Sequence, residues 1–346
     1  MVRKTIEKDE EETMRVLLLS HMYPNPVSPL SGIFVQQQAH ALVRLGVRVT
    51  VVAPVPWTPA FLSGRTKWGG YPALAEREMD GEIPVFRPRV LEFPGSRFFE
   101  LYPWTYVRGM RSCVAEQMRR GVDLIHAHVA HPDGAAAVRF GREFAVPVVV
   151  TIHGQDFAYT LKRSKMCKRS VIRTLQAARR VVLVSDKLRS AYGLESWGGD
   201  LSKYRVIRNG FQSEMTEAAD PAESERSDKR EARSRVLLSV GFLRPDKGHA
   251  IVLRAFQAIA QEFPDVVYRI VGDGMERQRL EQLAADLGLS ERVEFLGMLA
   301  HPLAMRQMAE CDIFVMPSWN EAFGVVYLEA MAHGKPVIGT IGEGID

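Results

Sequence analysis

Two glutamates, Glu321 and Glu329, bracket an aromatic–glycine pair in the stretch SWNEAFGVVYLE (318–329). The spacing predicts Glu321 in the loop after a strand that ends at Pro317, and Glu329 on a helix over 324–332. At ~1.5 Å rise per residue the helical part separates the two carboxylates by several ångströms, with uncapped N–H groups at Phe323 to Val325 between them. Such a frame could hold hydroxyls at both ends of an anionic ligand. An ordinary helix start explains the same residues, with Asn320 as cap, Glu321 complementing the dipole and Glu329 solvated.

Four other stretches carry chemistry of the same kind. GFLRPDKG (241–248) follows a strand and opens a helix, and its terminal glycines with Arg244 and Lys247 suit a diphosphate. It lacks the Gly-x4-Gly-Lys-Ser/Thr pattern, so it is not a P-loop. VGDG (271–274) repeats the strand–glycine–helix arrangement through Gly272 and Gly274, without the Gly-x-Gly-x-x-Gly run that NAD binding needs. Gly32 precedes a helix, where backbone N–H groups can meet an anion. His153, in HGQD (153–156), ends a strand beside Gly154, with Asp156 in reach to orient it; such a histidine can donate to a sugar hydroxyl or a developing charge. His126 and His128 lack a third metal ligand and read as structural, with His128 the nearer to the site.

These residues need strands to carry them, and the chain supplies two series. Short β-branched runs at 16–20, 47–53, 124–126, 146–152, 181–185 and 204–207 alternate with helical patterns, the first of them over 34–45 and ended by Gly46. A polar, nearly aliphatic-free segment, 213–234, reads as a linker. Beyond it the alternation resumes at 236–240, 266–271, 293–296, 313–316 and 336–339. The expected organisation is an extension (1–13), a first doubly wound α/β domain (14–212), the linker, and a second such domain (235–346) that reads as incomplete at its end. With 346 residues, a formal charge of +4 and three cysteines without pairing spacing, the composition speaks against a disulfide scaffold and a zinc site. A reducing cytoplasm is the expected setting, and no apolar run approaches the ~18 residues of a membrane span.

Taken together, Glu321-x7-Glu329 with Phe323-Gly324, preceded by GFLRPDKG and VGDG and followed by HGKPVI, closely resembles the retaining nucleotide-sugar glycosyltransferases of the GT-B fold, specifically glycosyltransferase family four. The amino-terminal SHMYPNPVSPLSGIFVQQQ is similar to the subgroup of teichuronic-acid and exopolysaccharide transferases. The resemblance implies two Rossmann-like domains facing a cleft, the acceptor on the first and a UDP- or GDP-linked sugar on the second. It implies that Lys247, with Arg244 or Gly32, neutralises the diphosphate and that Glu329 takes the ribose hydroxyls. Glu321 with Ala322, Phe323 and Gly324 would hold the donor sugar and phosphate, Gly272 and Gly274 would border the base, and His153 would stand beside the reacting sugar. Asn209-Gly210 resembles the family's hinge-side pair. Phe242 departs from the pattern, since many relatives carry arginine there. No Asp-x-Asp is present, so a metal-independent reaction without a cofactor is expected, with retention by same-face displacement. The competing readings are a sugar-nucleotide epimerase of the same fold and a non-catalytic sugar-nucleotide binder.

The run 161–180 holds eight basic residues and no acid. A solvated helix face explains it. With Trp68, Phe98, Phe99 and Trp104, it is also suited to an anionic lipid surface, which would place the chain on the inner face of the cytoplasmic membrane near a lipid-linked or polysaccharide acceptor, with no nucleic acid involved.

Overall fold

A computed structural model describes residues 13–57, 69–190, 192–210 and 234–345. Nearly all of the expected extension and linker, and Trp68, lie outside the described residues. The chain forms two compact units, the first comprising Met1–Val184 and Tyr192–Ile207, the second Ser185–Ala191 and Arg208–Asp346.

In unit 1 the elements run β1 (Arg15–Leu19), α1 (Ile33–Arg44), β2 (Arg48–Val52), β3 (Val55–Pro56), β4 (Arg77–Asp80), β5 (Ile83–Phe86), β6 (Arg89–Val90), α2 (Tyr102–Arg119), β7 (Leu124–His128), α3 (Ala135–Phe144), β8 (Val148–Ile152), α4 (Leu161–Arg163), α5 (Lys165–Ala177), β9 (Arg180–Leu183) and β10 (Tyr204–Val206). Eight strands make one sheet in the order β10-β9-β8-β7-β1-β2-β5-β4, parallel except for β4 against β5. Val16 to Leu19 are all buried because helices cover both faces of a parallel sheet, which is why the strand reads as an unbroken apolar run. Val35 and Ala39, one turn apart on α1, pack on Leu18, Val49, Val51 and Val85. Sheet order reverses between β1 and β7, and that is the switch point at which a doubly wound sheet opens for a ligand.

Unit 2 takes in the short α6 (Asp186–Ser190) and then β11 (Arg235–Val240), α7 (His249–Ile259), β12 (Val266–Val271), α8 (Arg277–Asp286), β13 (Val293–Gly297), α9 (His301–Glu310), β14 (Ile313–Val315), α10 (Val325–Ala332) and β15 (Val337–Ile338). Its five strands are all parallel, in the order β13-β12-β11-β14-β15. Alternate strand residues feed opposite cores, as the pleat requires. Tyr268 and Ile270 join Leu253 and Phe256 of α7 on one face. On the other, Val271 and Leu238 join Met308 of α9 and Tyr327 of α10. Here the switch point lies between β11 and β14.

Candidate active site

The loops after β11 and β14 meet at the switch point of unit 2. Trp319 N–H donates to the Asp246 carbonyl at 2.9 Å, tying the loops together. Lys247, from the first loop, pairs with Glu321, from the second, at 2.5 Å, both side chains under one-fifth exposed. Glu321 is gripped from behind as well. Its carbonyl accepts from Lys187 of α6 at 3.2 Å, and its N–H donates to the Glu343 carboxylate at 2.7 Å, while Lys187 also pairs with Glu343. An anionic ligand at this point meets one held ammonium and a carboxylate whose backbone is fixed on both sides.

Glu329 is not a solvated helix residue. Its side chain is 12% exposed and lies 2.9 Å from His301 Nε2 at the start of α9. Nor does Asn320 cap the helix. The residue before α10 is Gly324, left-handed at φ 80°, with no side-chain cap; the Tyr327 N–H donates to the Gly324 carbonyl at 3.1 Å, and no side chain takes those of Val325 and Val326, between Glu321 and Glu329. Ala322 and Phe323 lie in the loop just before Gly324, with Phe323 buried. Arg244 makes a bidentate pair with Asp246, at 2.8 and 2.5 Å, so its charge is balanced locally and Lys247 remains the cation facing Glu321. Gly272 is demanded by close packing: at φ 142°, a Cβ there would come 1.9 Å from the Gly241 carbonyl oxygen. Gly274 lies similarly against the Leu243 backbone. The two glycines thus let the loops after β11 and β12 lie against each other.

In unit 1, Gly32 stands directly before α1 at φ 73°, and a Cβ would meet the Met22 carbonyl oxygen at 2.2 Å. The chain's own backbone therefore requires that glycine. His153 ends β8, with its ring against Phe34 at 4.4 Å. Asp156 does not orient it. One carboxylate oxygen of Asp156 accepts the N–H groups of Ala130 and His131, at 2.9 and 3.2 Å, and the other has no partner. His153 bonds His128 instead, Nε2 to Nδ1, at 2.9 Å. Burial lowers His153 to about 3 and His126 to about 4, and drives His128 well below its ordinary value, so all three rings are neutral at pH 7.

His21 is the switch-point residue that sequence reasoning missed. Its N–H and Nδ1 both meet the Asp133 carboxylate, at 2.9 and 2.5 Å. Burial opposes its protonation, but the Asp133 charge and hydrogen bond outweigh that and raise His21 to about 9. An imidazolium therefore stands at the end of β1. Its only sequence signal was position, directly after a strand in SHMYP. His301, Lys187 and Glu343 gave no signal of their own, because each reaches its partner from a different element. No group of three metal-ligating side chains gathers among the described residues.

Two doubly wound units, one after the other along the chain, are the fold of the GT-B glycosyltransferases. Residues 31–210 match the family described as glycosyl transferase 4-like domain, and residues 221–346 match glycosyl transferases group 1; the chain belongs to this glycosyltransferase family. It is 29% identical over 335 residues to TuaC of Bacillus subtilis, a glycosyltransferase assigned to teichuronic acid biosynthesis, covering 94% of this chain and 81% of that one. Among solved structures, the fold matches sucrose-phosphate synthase from Thermosynechococcus elongatus (TM-score 0.75, 22% identity, 96% of this chain and 82% of that one). It also matches HepE of Anabaena, solved with UDP-glucose (TM-score 0.65, 23% identity, 96% and 81%).

Proposed function

We propose that the protein transfers a sugar from a nucleoside-diphosphate sugar, with retention at the anomeric carbon, to a lipid-linked or polysaccharide acceptor of cell-envelope or exopolysaccharide synthesis. The observation that carries this is the frame at the unit 2 switch point, where Lys247–Glu321 and His301–Glu329 flank the open N–H groups of α10. In this reading Lys247 and those N–H groups take the diphosphate, Glu329 takes the ribose hydroxyls and Glu321 takes the sugar. Departure of a diphosphate needs charge neutralisation more than proton donation, which a lysine and a helix terminus supply. Among the described residues no carboxylate is placed as an obvious nucleophile, which favours same-face displacement over a covalent intermediate. HepE, solved with UDP-glucose, and TuaC, in teichuronic acid synthesis, support the donor and acceptor classes respectively. Incubation with a panel of UDP- and GDP-sugars plus acceptor lipid tests it. Release of nucleoside diphosphate with an axial product is expected; an altered sugar without release would mean epimerisation, and an inverted product would refute retention.

The acceptor side of the reading includes an anionic membrane surface. Of the basic run 162–180, Arg169 and Arg173 join Arg139 and Arg142 of α3 around a groove of about 1060 Å³ between α2, α3 and α5. Trp104 at its edge is 60% exposed and Phe98 58%. Arg163, by contrast, is engaged with the Ser96 carbonyl and the Phe99 ring. Arginines beside exposed aromatics suit a lipid interface better than a purely solvated face. No helix among the described residues is long and apolar enough to cross a membrane, so attachment would be peripheral. Flotation with phosphatidylglycerol vesicles should carry the protein, and loss of arginine at 139 and 173 should release it; indifference to vesicles at low salt would contradict this part.

A further inference from the structure

Glu329 is a long side chain at a place where its exact position decides what it can hold. Among the described residues its carboxylate has one hydrogen-bond partner, His301 Nε2, at 2.9 Å from Oε1. A carboxylate only accepts, so the hydrogen of this contact sits on the histidine. The other oxygen, Oε2, takes no hydrogen bond among those residues and is not enclosed, so a bound molecule can reach it. One oxygen therefore holds the group in place, and the other stays available.

The holding contact is built on stiff parts. His301 opens α9, and Pro302 follows it in the first turn, where the locked ring of a proline fits a helix start. One turn further on, Ala304, Met305 and Met308 pack in the same core as Tyr327 and Ala330, the latter the immediate neighbour of Glu329 on α10. The two helices thus keep donor and acceptor at a fixed spacing. The side chains are 19% and 12% exposed, so little water competes for the bond. A glutamate without such a partner samples many rotamers, and its ligand must then order it.

We propose that His301 is a positioning residue which, by donating to Glu329 Oε1, sets Glu329 Oε2 as the acceptor for a ribose hydroxyl and so makes the site select ribose over deoxyribose. This rests on the reading above in which Glu329 takes the ribose hydroxyls, and the residues concerned all belong to unit 2. Acting through Glu329, His301 contributes to holding the nucleotide and not to the chemical step.

The test is titration calorimetry of the full chain with UDP and GDP and with their 2′-deoxy and 3′-deoxy counterparts, in a cycle of H301A, E329A and the double variant. For the base that binds, H301A should weaken the ribonucleotide about three- to tenfold and leave at least one deoxy form nearly unchanged, so that the preference for ribose narrows. In E329A the same histidine change should add nothing, because the partner through which it acts is gone. H301Q supplies a side-chain N–H in place of the ring's and should recover most of the affinity. In turnover of the sugar nucleotide, H301A should raise KM and leave kcat unchanged. H301L, which fills the ring's space without a donor, replaces H301A in the cycle should that variant not fold. Equal weakening by H301A with and without Glu329, or an unchanged ribose preference in H301A, would overturn the proposal and leave the ribose reading intact. An E329A that binds the ribonucleotide as tightly as the unaltered protein, or no binding of either diphosphate, would refute that reading and the proposal with it.

Discussion

Asp156 is fully buried with one carboxylate oxygen unpaired, an arrangement that stability alone does not favour. Burial raises it to about 7, aided by the Asp133 charge and opposed by the two backbone N–H bonds. A raised acid favours the folded state below its unfolded value near 4, and that support is lost as pH rises through about 7. Asp156→Asn removes the titration while keeping an acceptor for Ala130 and His131. The variant should therefore gain stability over the unaltered protein at pH 8, by about 1–3 kcal/mol, and gain less at pH 4. The buried histidines work with the opposite sign, losing stability as pH falls below 6.5, but they do so in both proteins and cancel. Paired melts at the two pH values check this; an equal difference at both would contradict it. At this scale, the positions of Lys247 and Glu321 were legible because each sits in a loop after a strand, and that of Glu329 because it falls on the helix that follows. The bond partners were not: Asp156 is three residues from His153, yet it turned to the loop after β7, and His128 came across from the neighbouring strand.

The loop carrying Glu321 and the helix carrying Glu329 are tied to the end of β14 through the hydroxyl of Tyr327. Tyr327, 1% exposed on α10, donates to the Met316 carbonyl at 2.5 Å and bonds Ser318 Oγ at 2.7 Å, pinning the helix to the end of β14. Tyr327→Phe leaves the ring packed on Phe314 but removes both bonds. Urea unfolding should show unit 2 weakened by about 1–2 kcal/mol, with a raised KM for the donor as the loop carrying Glu321 loosens; an unchanged midpoint would mean the hydroxyl is not the tie. Strands and crossover helices in both units stood close to their expected bounds, since buried parallel strands print as β-branched runs. The pair β4–β5 did not, because REMD at 77–80 is polar on an edge strand with one face open, and α2 was masked by Pro103 and Gly109.

For the whole molecule, tandem doubly wound units were readable from the two series of strands separated by a polar segment, and the family assignment agrees with that. What periodicity could not supply is sheet order, which decides where each switch point falls and hence which loops meet. It is the order β13-β12-β11-β14-β15 that brings Lys247 beside Glu321 across 74 residues of chain. The central claim is that this junction binds a nucleoside-diphosphate sugar with its two glutamates in different roles. Titration calorimetry of the nucleoside diphosphate, set beside turnover of the corresponding sugar nucleotide, tests it most directly. Glu329→Ala should weaken diphosphate affinity by about ten- to a hundredfold, the loss of charge-assisted bonds worth roughly 1.5–3 kcal/mol, whereas Glu321→Ala should keep that affinity and lose sugar-dependent turnover. Equal losses in both variants on both measurements would contradict the account.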